Sequence, residues 1–146
     1  MTRQTRIISI VAALAVIAIA AYFIMLHMMT PPADLDLSRE RATTNGIYRV
    51  TVAPEKEPFD RAVLHSWIAT VTTPDGAPVE GAEIKIDGGM PQHGHGLPTA
   101  PEVTADLGQG RYRIEGVRFN MGGWWEFKLA ITAVPGSDDV TFNLSL

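Results

Sequence analysis

Two patterns of hydrophobic and polar positions divide the chain. From Ile7 to Met29 the residues are apolar almost without interruption, and His27 is the one side chain there that ionises near neutral pH. At 1.5 Å per residue a helix of this length extends about 34 Å, which is enough to cross a hydrocarbon core of about 30 Å. The pattern therefore predicts a transmembrane helix over residues 7–29.

Beyond residue 45 apolar and polar side chains alternate with a period of two. The segments GIYRVTVAP, LHSWIATVTT and GAEIKIDGG are typical of strands, and four further segments follow, PEVTADL, GRYRIEGV, GGWWEFKLAIT and DDVTFNLSL. Turn residues such as the Pro-Asp-Gly triplet separate them. Seven short strands without a helical stripe predict an all-β fold, a single antiparallel β-sandwich.

The remaining segments are predicted to be a short terminus before the apolar segment and a tether between that segment and the strands. Residues 1–6 form a short basic terminus, and residues 30–45 have adjacent prolines and alternating charges, which predicts a tether. Residues 46–146 form the sandwich domain. Within it, Asp138 and Asp139 are interpreted as part of a solvated turn. The predicted core comprises Tyr48, Trp67, Ile84, Ile86, Tyr112, Ile114, one of the paired tryptophans, Leu129 and Phe142.

The charges around the apolar segment predict its orientation. Arg3 and Arg6 precede it, and the first acidic residue is Asp34, so the amino end is expected in the cytoplasm and the remainder outside. A cleaved signal peptide is the alternative, but it has a shorter apolar region of about 7–15 residues and a small-x-small cleavage site. The bulky residues of FIMLHMMTPPADL favour an uncleaved, single-pass anchor embedded in the lipid bilayer.

Composition narrows the functions available to the part outside the membrane. It holds ten of the twelve basic residues and all sixteen acidic ones, a formal net charge of −6, which disfavours binding to nucleic acid and to anionic lipid. The chain has no cysteine. Thiol redox chemistry, covalent haem attachment and a blue-copper centre are therefore excluded.

The segment GGMPQHGHGLPTAP, residues 88–101, carries the candidate chemistry. Met90, His93 and His95 bring one thioether and two imidazoles within six positions. Imidazole suits copper, zinc, nickel and iron, whereas thioether is a soft ligand that favours copper(I). Glycines at positions 94 and 96 allow the backbone to bend so that both rings converge. These residues predict a metal site, in which the thioether favours copper(I).

A second methionine extends the candidate site. Met121 lies in VRFNMGGWW, a turn between two predicted strands, and it closes the site if those strands are neighbours in the sandwich. The alternative remains open that the histidines face solvent and the methionines fill gaps in the packing. His65 lies in a predicted strand, on the opposite face from Ser66, and is interpreted as structural.

Enzymatic motifs are missing from the sequence. No paired carboxylates flank a cleft pattern, no glycine-rich phosphate loop follows a strand, and the His-Gly-His spacing lacks the nearby glutamate base of zinc hydrolases. We therefore expect a protein that is not an enzyme.

The segments DGAPVEGAEIKIDGGMPQHGHGLPTAPEVT and GQGRYRIEGVRFNMGGWWEFKLAI resemble the YtkA-like domain family, which is related to the FixH-like small membrane proteins. The resemblance covers about residues 64–132. It implies an immunoglobulin-like or cupredoxin-like sandwich anchored in a bacterial inner membrane, with the domain in the periplasm and a link to copper handling or respiratory oxidase assembly. The Met/His loop of the family maps onto Met90, His93 and His95, and its F-x-M segment onto Phe119 and Met121.

Two hypotheses for the function of the chain follow from these observations. In the first, the domain binds copper through His93 and His95, with Met90 and Met121 as soft contributors, and passes it to a copper chaperone or a respiratory oxidase. Many relatives have a further methionine in the loop, where this chain has Gln92 or its neighbours, and this difference makes the histidines the more important ligands. In the second, the domain is an interaction module that docks onto an inner-membrane complex without binding metal.

Overall fold

The computed structural model describes residues 3–28 and 30–146. Residues 1, 2 and 29, at the start of the predicted cytoplasmic terminus and at the end of the predicted span, lie outside the described residues. The chain divides into a first compact unit that ends at Ala33 and a second from Asp34 to Leu146. The first contains helix α1, Arg3–Met28, in which Gln4–His27 is long and apolar enough to cross a membrane.

The second unit is a sandwich of two antiparallel sheets. Its strands are β1 Glu40–Ala42, β2 Arg49–Pro54, β3 His65–Thr72, β4 Glu83–Met90, β5 His95–Gly96, β6 Glu102–Asp106, β7 Arg111–Val117, β8 Trp124–Ala133 and β9 Gly136–Ser145. One sheet has the order β1-β2-β3-β7-β6 and the other β5-β4-β8-β9. The predicted all-β sandwich behind an apolar helix is confirmed.

The core lies between the two sheets, because alternate residues of each strand point inward. Trp67 and Trp125 are its largest fully buried side chains. Around them pack Tyr48, Val50, Val52, Tyr112 and Ile114 from the first sheet, and Ile84, Phe127, Leu129, Val140 and Phe142 from the second. Every described strand and this core belong to the unit from Asp34 to Leu146, so that unit can fold without α1.

Two strands lie outside the seven that the alternation predicts. The three-residue β1 falls inside the predicted tether, where it pairs with β2 through Arg41↔Val50, so the folded unit begins before residue 45. The two-residue β5 lies in the Met/His loop. Both are short edge strands held by backbone hydrogen bonds, and neither has enough residues for an alternation of period two.

The interpretation of Asp138 as part of a solvated turn is wrong. Asp138 and Asp139 both lie in strand β9 and not in a turn, and although Asp139 is exposed, Asp138 is only 6% exposed. Its carboxylate accepts hydrogen bonds from the backbone N–H groups of Asn45 and Ile47 and from the Asn45 side chain, at 2.8–3.2 Å. Burial acts to raise the pKa of Asp138, but hydrogen bonds from Thr43, Asp139, Asn45 and Ile47 outweigh it and hold the pKa well below its usual range. Asp138 therefore fastens β9 to the turn before β2.

The two ends of the sandwich differ. The pairs Pro54↔Trp67, His65↔Val117, Gly89↔Glu126 and Trp124↔Ser145 bring segments 55–64, 91–94 and 118–123 to one end, which we name the loop end. The chain also enters the folded unit there, since the Asp36 carbonyl accepts a hydrogen bond from Asn143 Nδ2 at 3.1 Å. The turns 73–82, 107–110 and 134–135 occupy the opposite end, which we name the turn end.

Candidate metal site

The Met/His loop is a tight turn at the end of β4. The Met90 carbonyl accepts hydrogen bonds from the backbone N–H groups of His93 and Gly94, both at 3.0 Å. Pro91 has no N–H with which to continue the ladder, and Gly94 adopts a φ of +65°, which few other residues tolerate. The chain then returns as β5, so that His95 pairs with Met90. Local sequence thus builds the turn that presents both histidines.

The two imidazoles of the loop are stacked with their planes nearly parallel. Both histidines are exposed, and their ring centroids are 6.0 Å apart with the planes 25° from parallel. A metal–nitrogen bond of about 2.0 Å places each ring centroid about 3.2 Å from a bound ion, so two rings that share an ion lie up to roughly 6.4 Å apart. The separation of the His93 and His95 rings falls within this limit, and both nitrogens face one ion once these exposed side chains rotate out of the stack.

A hydrogen bond orients the His95 ring. His95 Nδ1 lies 3.1 Å from the Gly96 carbonyl oxygen. Because a carbonyl only accepts, Nδ1 carries the proton and Nε2 keeps its lone pair free. Histidine ligands of metals usually donate their second N–H to a carbonyl or a carboxylate in this way. This hydrogen bond leaves Nε2 of His95 as the ring nitrogen available to a metal.

The two methionines have different surroundings. Met90 is 1% exposed and belongs to the core, and its terminal methyl lies 3.2 Å from the place where a Cβ on Gly123 would stand. Met121 is 41% exposed. The strands that flank the Met121 turn, β7 and β8, lie in different sheets, whereas β8 pairs with β4, the strand that ends at Met90.

Trp125 connects the two segments. Its ring is fully buried and lies 5.8 Å from the His95 ring in an edge-on arrangement, while its Nε1 donates a hydrogen bond to the Met121 carbonyl at 3.1 Å. The neighbouring Trp124 points to the outer face and donates to Asn143. Trp125 therefore belongs to the core and also supports the histidine loop.

Carboxylates do not complete the site. An open cleft of about 420 Å³ lies beside His95 and includes Asp87 and Glu126 in its lining. Glu126 pairs with the Lys128 ammonium at 2.8 Å, and this hydrogen bond raises the pKa of Lys128. Across residues 3–28 and 30–146 no three His, Asp or Glu side chains converge as a metal site. Any ion held here depends on the two imidazoles and on methionine sulfur.

A family profile described as YtkA-like matches residues 43–130. This chain belongs to the YtkA-like family. The matched range contains Met90, His93, His95 and Met121. It begins about twenty residues before residue 64, where the resemblance described in the sequence begins.

The fold of this YtkA-like domain has a solved counterpart. The crystal structure of a DUF4426 family protein from Pseudomonas aeruginosa aligns with a TM-score of 0.53 and 14% identity, over 74% of this chain and 94% of that one. At this identity the likeness shows a shared fold. No curated protein matches the chain significantly. Neither similarity points to a family of enzymes.

Gly123 and Asp138 have structural roles that the sequence analysis missed. Gly123, which follows Gly122, leaves room for the Met90 methyl and adopts a φ of +115°. The paired glycines were the available signal for close packing at this point. Asp138 gave no such signal, because its partners lie more than 90 residues away in the chain.

Proposed function

We propose that this YtkA-like protein is a membrane-anchored, non-enzymatic copper-handling protein, with its folded unit in the periplasm of a bacterium. The observation that carries the proposal is the pair of exposed imidazoles on one tight turn, 6.0 Å apart, with the His95 tautomer set by Gly96. The apolar helix Gln4–His27 and the preceding Arg3 support the anchor and its orientation.

The ligand set suits copper(I) better than zinc. Zinc sites are usually completed by four ligands of the Cys, His or carboxylate type, and neither cysteine nor a converging carboxylate is available here. Copper(I) accepts two or three ligands and binds thioether sulfur. His93 and His95 supply the nitrogens, and the exposed Met121 is the sulfur nearer to solvent. Met90, which lies beneath the loop, contributes only if the core opens slightly.

An incomplete ligand set on a protruding turn is suited to transfer. Because the histidines are exposed, a second protein can reach a bound ion while it is still held. A copper chaperone or a respiratory oxidase under assembly would then be the acceptor. Binding is expected to be reversible and to weaken as the pH falls, since imidazole binds metal only in its neutral form.

A copper(I) titration tests the proposal. The fragment 34–146 is titrated under reducing conditions against a chromophoric competing chelator, beside a His93→Ala/His95→Ala double variant. Gln92→Ala is the matched control, because it truncates a side chain of the same turn that supplies no metal-binding nitrogen. We expect one copper per chain with a Kd below about 1 μM, lost in the double variant and kept in the control.

Two results would overturn the copper proposal. One is the absence of binding, and the other is equal binding by the wild type and the double variant while circular dichroism shows both folded. Either result would leave the second hypothesis, a docking module without metal. Its test is the loss of complex formation when Trp124 is changed, since Trp125 is buried and unavailable to a partner.

A further inference from the structure

Exposed apolar side chains are concentrated at the loop end of the sandwich. In the unit from Asp34 to Leu146 six large apolar side chains are at least 39% exposed. The loop end carries four of them, namely Leu37, Val63, Leu64 and Met121, and the turn end carries Leu107 and Val134. Single exposed apolar residues need no explanation, but a cluster at one end of a domain marks a surface that meets an apolar partner.

The segment 55–64 holds two of these side chains outward on a fixed base. Phe59 packs on the His65 ring with centroids 4.6 Å apart and touches the core, so the segment is anchored from beneath. Val63 and Leu64 are left 51% and 64% exposed. Arg61 reaches the position where a side chain on Gly122 would stand, which ties this segment to segment 118–123.

Chain connectivity limits how far the loop end can move from the membrane. Helix α1 ends at Met28, and Asp36 is already fixed to Asn143 at the loop end. Eight residue steps at 3.3–3.6 Å each span at most about 29 Å. The adjacent Pro31 and Pro32 make this tether stiff. The folded unit is therefore joined to α1 through its loop end, by this short stretch of chain.

We propose that the loop end docks on the lipid bilayer that anchors the chain, with Val63 and Leu64 inserted at its surface. Two exposed apolar side chains are suited to the interface, where they enter the acyl region. The charged side chains of segment 55–64 stay among the headgroups, namely Lys56 and Arg61 together with Glu55, Glu57 and Asp60. The proposal does not depend on copper. It also places the Met/His loop close to the membrane, within reach of acceptors embedded there.

The absence of cysteine makes a direct test possible. The whole chain is reconstituted in phosphatidylcholine vesicles with a metal chelator present, and a polarity-sensitive fluorophore is attached to Val63→Cys or, at the turn end, to Val134→Cys. Val134 is 93% exposed and serves as the matched control. We expect nitroxide-labelled lipids to quench the label at position 63 at least threefold more than the label at position 134. Equal quenching, or none at either position, would overturn the proposal.

A second set of variants tests the role of the apolar side chains. The label is placed at Met121→Cys, and Leu64→Asp is added. Leu64 is exposed, so the substitution is expected to leave the fold intact, which circular dichroism checks. We expect quenching at position 121 to fall at least threefold, whereas Leu107→Asp at the turn end leaves it unchanged. Quenching that survives Leu64→Asp, or that falls equally with Leu107→Asp, would refute docking through this surface.

Discussion

Replacing Gly89 by alanine should displace the histidine loop without touching either histidine. Gly89 has an ordinary negative φ, so its conformation does not require glycine. Packing does require it. A Cβ on Gly89 would overlap the His95 carbonyl oxygen and lie 3.0 Å from Gly96 Cα. Both neighbours are backbone atoms, so neither can rotate away as a side chain would.

The cross-strand partner Gly96 provides the matched comparison. A Cβ on Gly96 would lie 3.5 Å from the Gly88 carbonyl oxygen, which is ordinary van der Waals contact. Overpacking of rigid surroundings costs about 1–3 kcal/mol. A glycine-to-alanine change that fits its site stabilises by about 0.4–1 kcal/mol through the unfolded state. We therefore expect Gly89→Ala to be less stable than Gly96→Ala by about 1.5–4 kcal/mol.

Thermal unfolding of the fragment 34–146, followed by circular dichroism, measures this difference. For a domain of this size 1 kcal/mol corresponds to about 4 °C in Tm, so the two variants should differ by roughly 6–16 °C. Copper(I) affinity should fall in Gly89→Ala and persist in Gly96→Ala, because only the first pushes β5 away from β4. Tm values within about 2 °C of each other, or a less stable Gly96→Ala, would refute the packing argument.

Three further predictions concern other parts of the molecule. Because folding lowers the pKa of Asp138, this carboxylate stabilises the folded state above pH about 4, and the stabilisation is lost as the pH falls further. Acid unfolding should show that Asp138→Asn is less stable than the wild type at pH 7 and that its free energy of unfolding changes less with pH below 4. Met90→Leu should cost less than about 1.5 kcal/mol and Met90→Ala about 2–5 kcal/mol in urea unfolding, since Met90 fills the core, and equal costs would contradict that role. Copper(II) bound at His95 should quench the fluorescence of Trp125, whose ring lies 5.8 Å from the His95 ring. Trp125→Phe should remove most of this quenching, whereas quenching of the same size in the variant would locate the ion elsewhere.

Much of the candidate site follows from local sequence. Pro91 and Gly94 dictate a tight turn after β4, and the turn sets the His93 and His95 rings beside each other. Sequence could not show that Met90 is buried while Met121 is exposed, because both stand next to turn glycines. Their burial depends on how the end of β4 packs against the residues before β8.

The sequence by itself determined the apolar helix and the seven main strands. The helix depends on a long apolar run and each strand on a period of two within one segment, and the hydrophobic effect acts on these patterns wherever the segment lies. The tertiary structure alone decided which of Trp124 and Trp125 faces the core, since alternation places the two on opposite faces without saying which face is inside. It also decided that Asp138 is buried and links β9 to the turn before β2, because its hydrogen-bond donors lie in that distant turn. Such contacts between distant segments arise only when the two sheets pack together, and no local pattern encodes them.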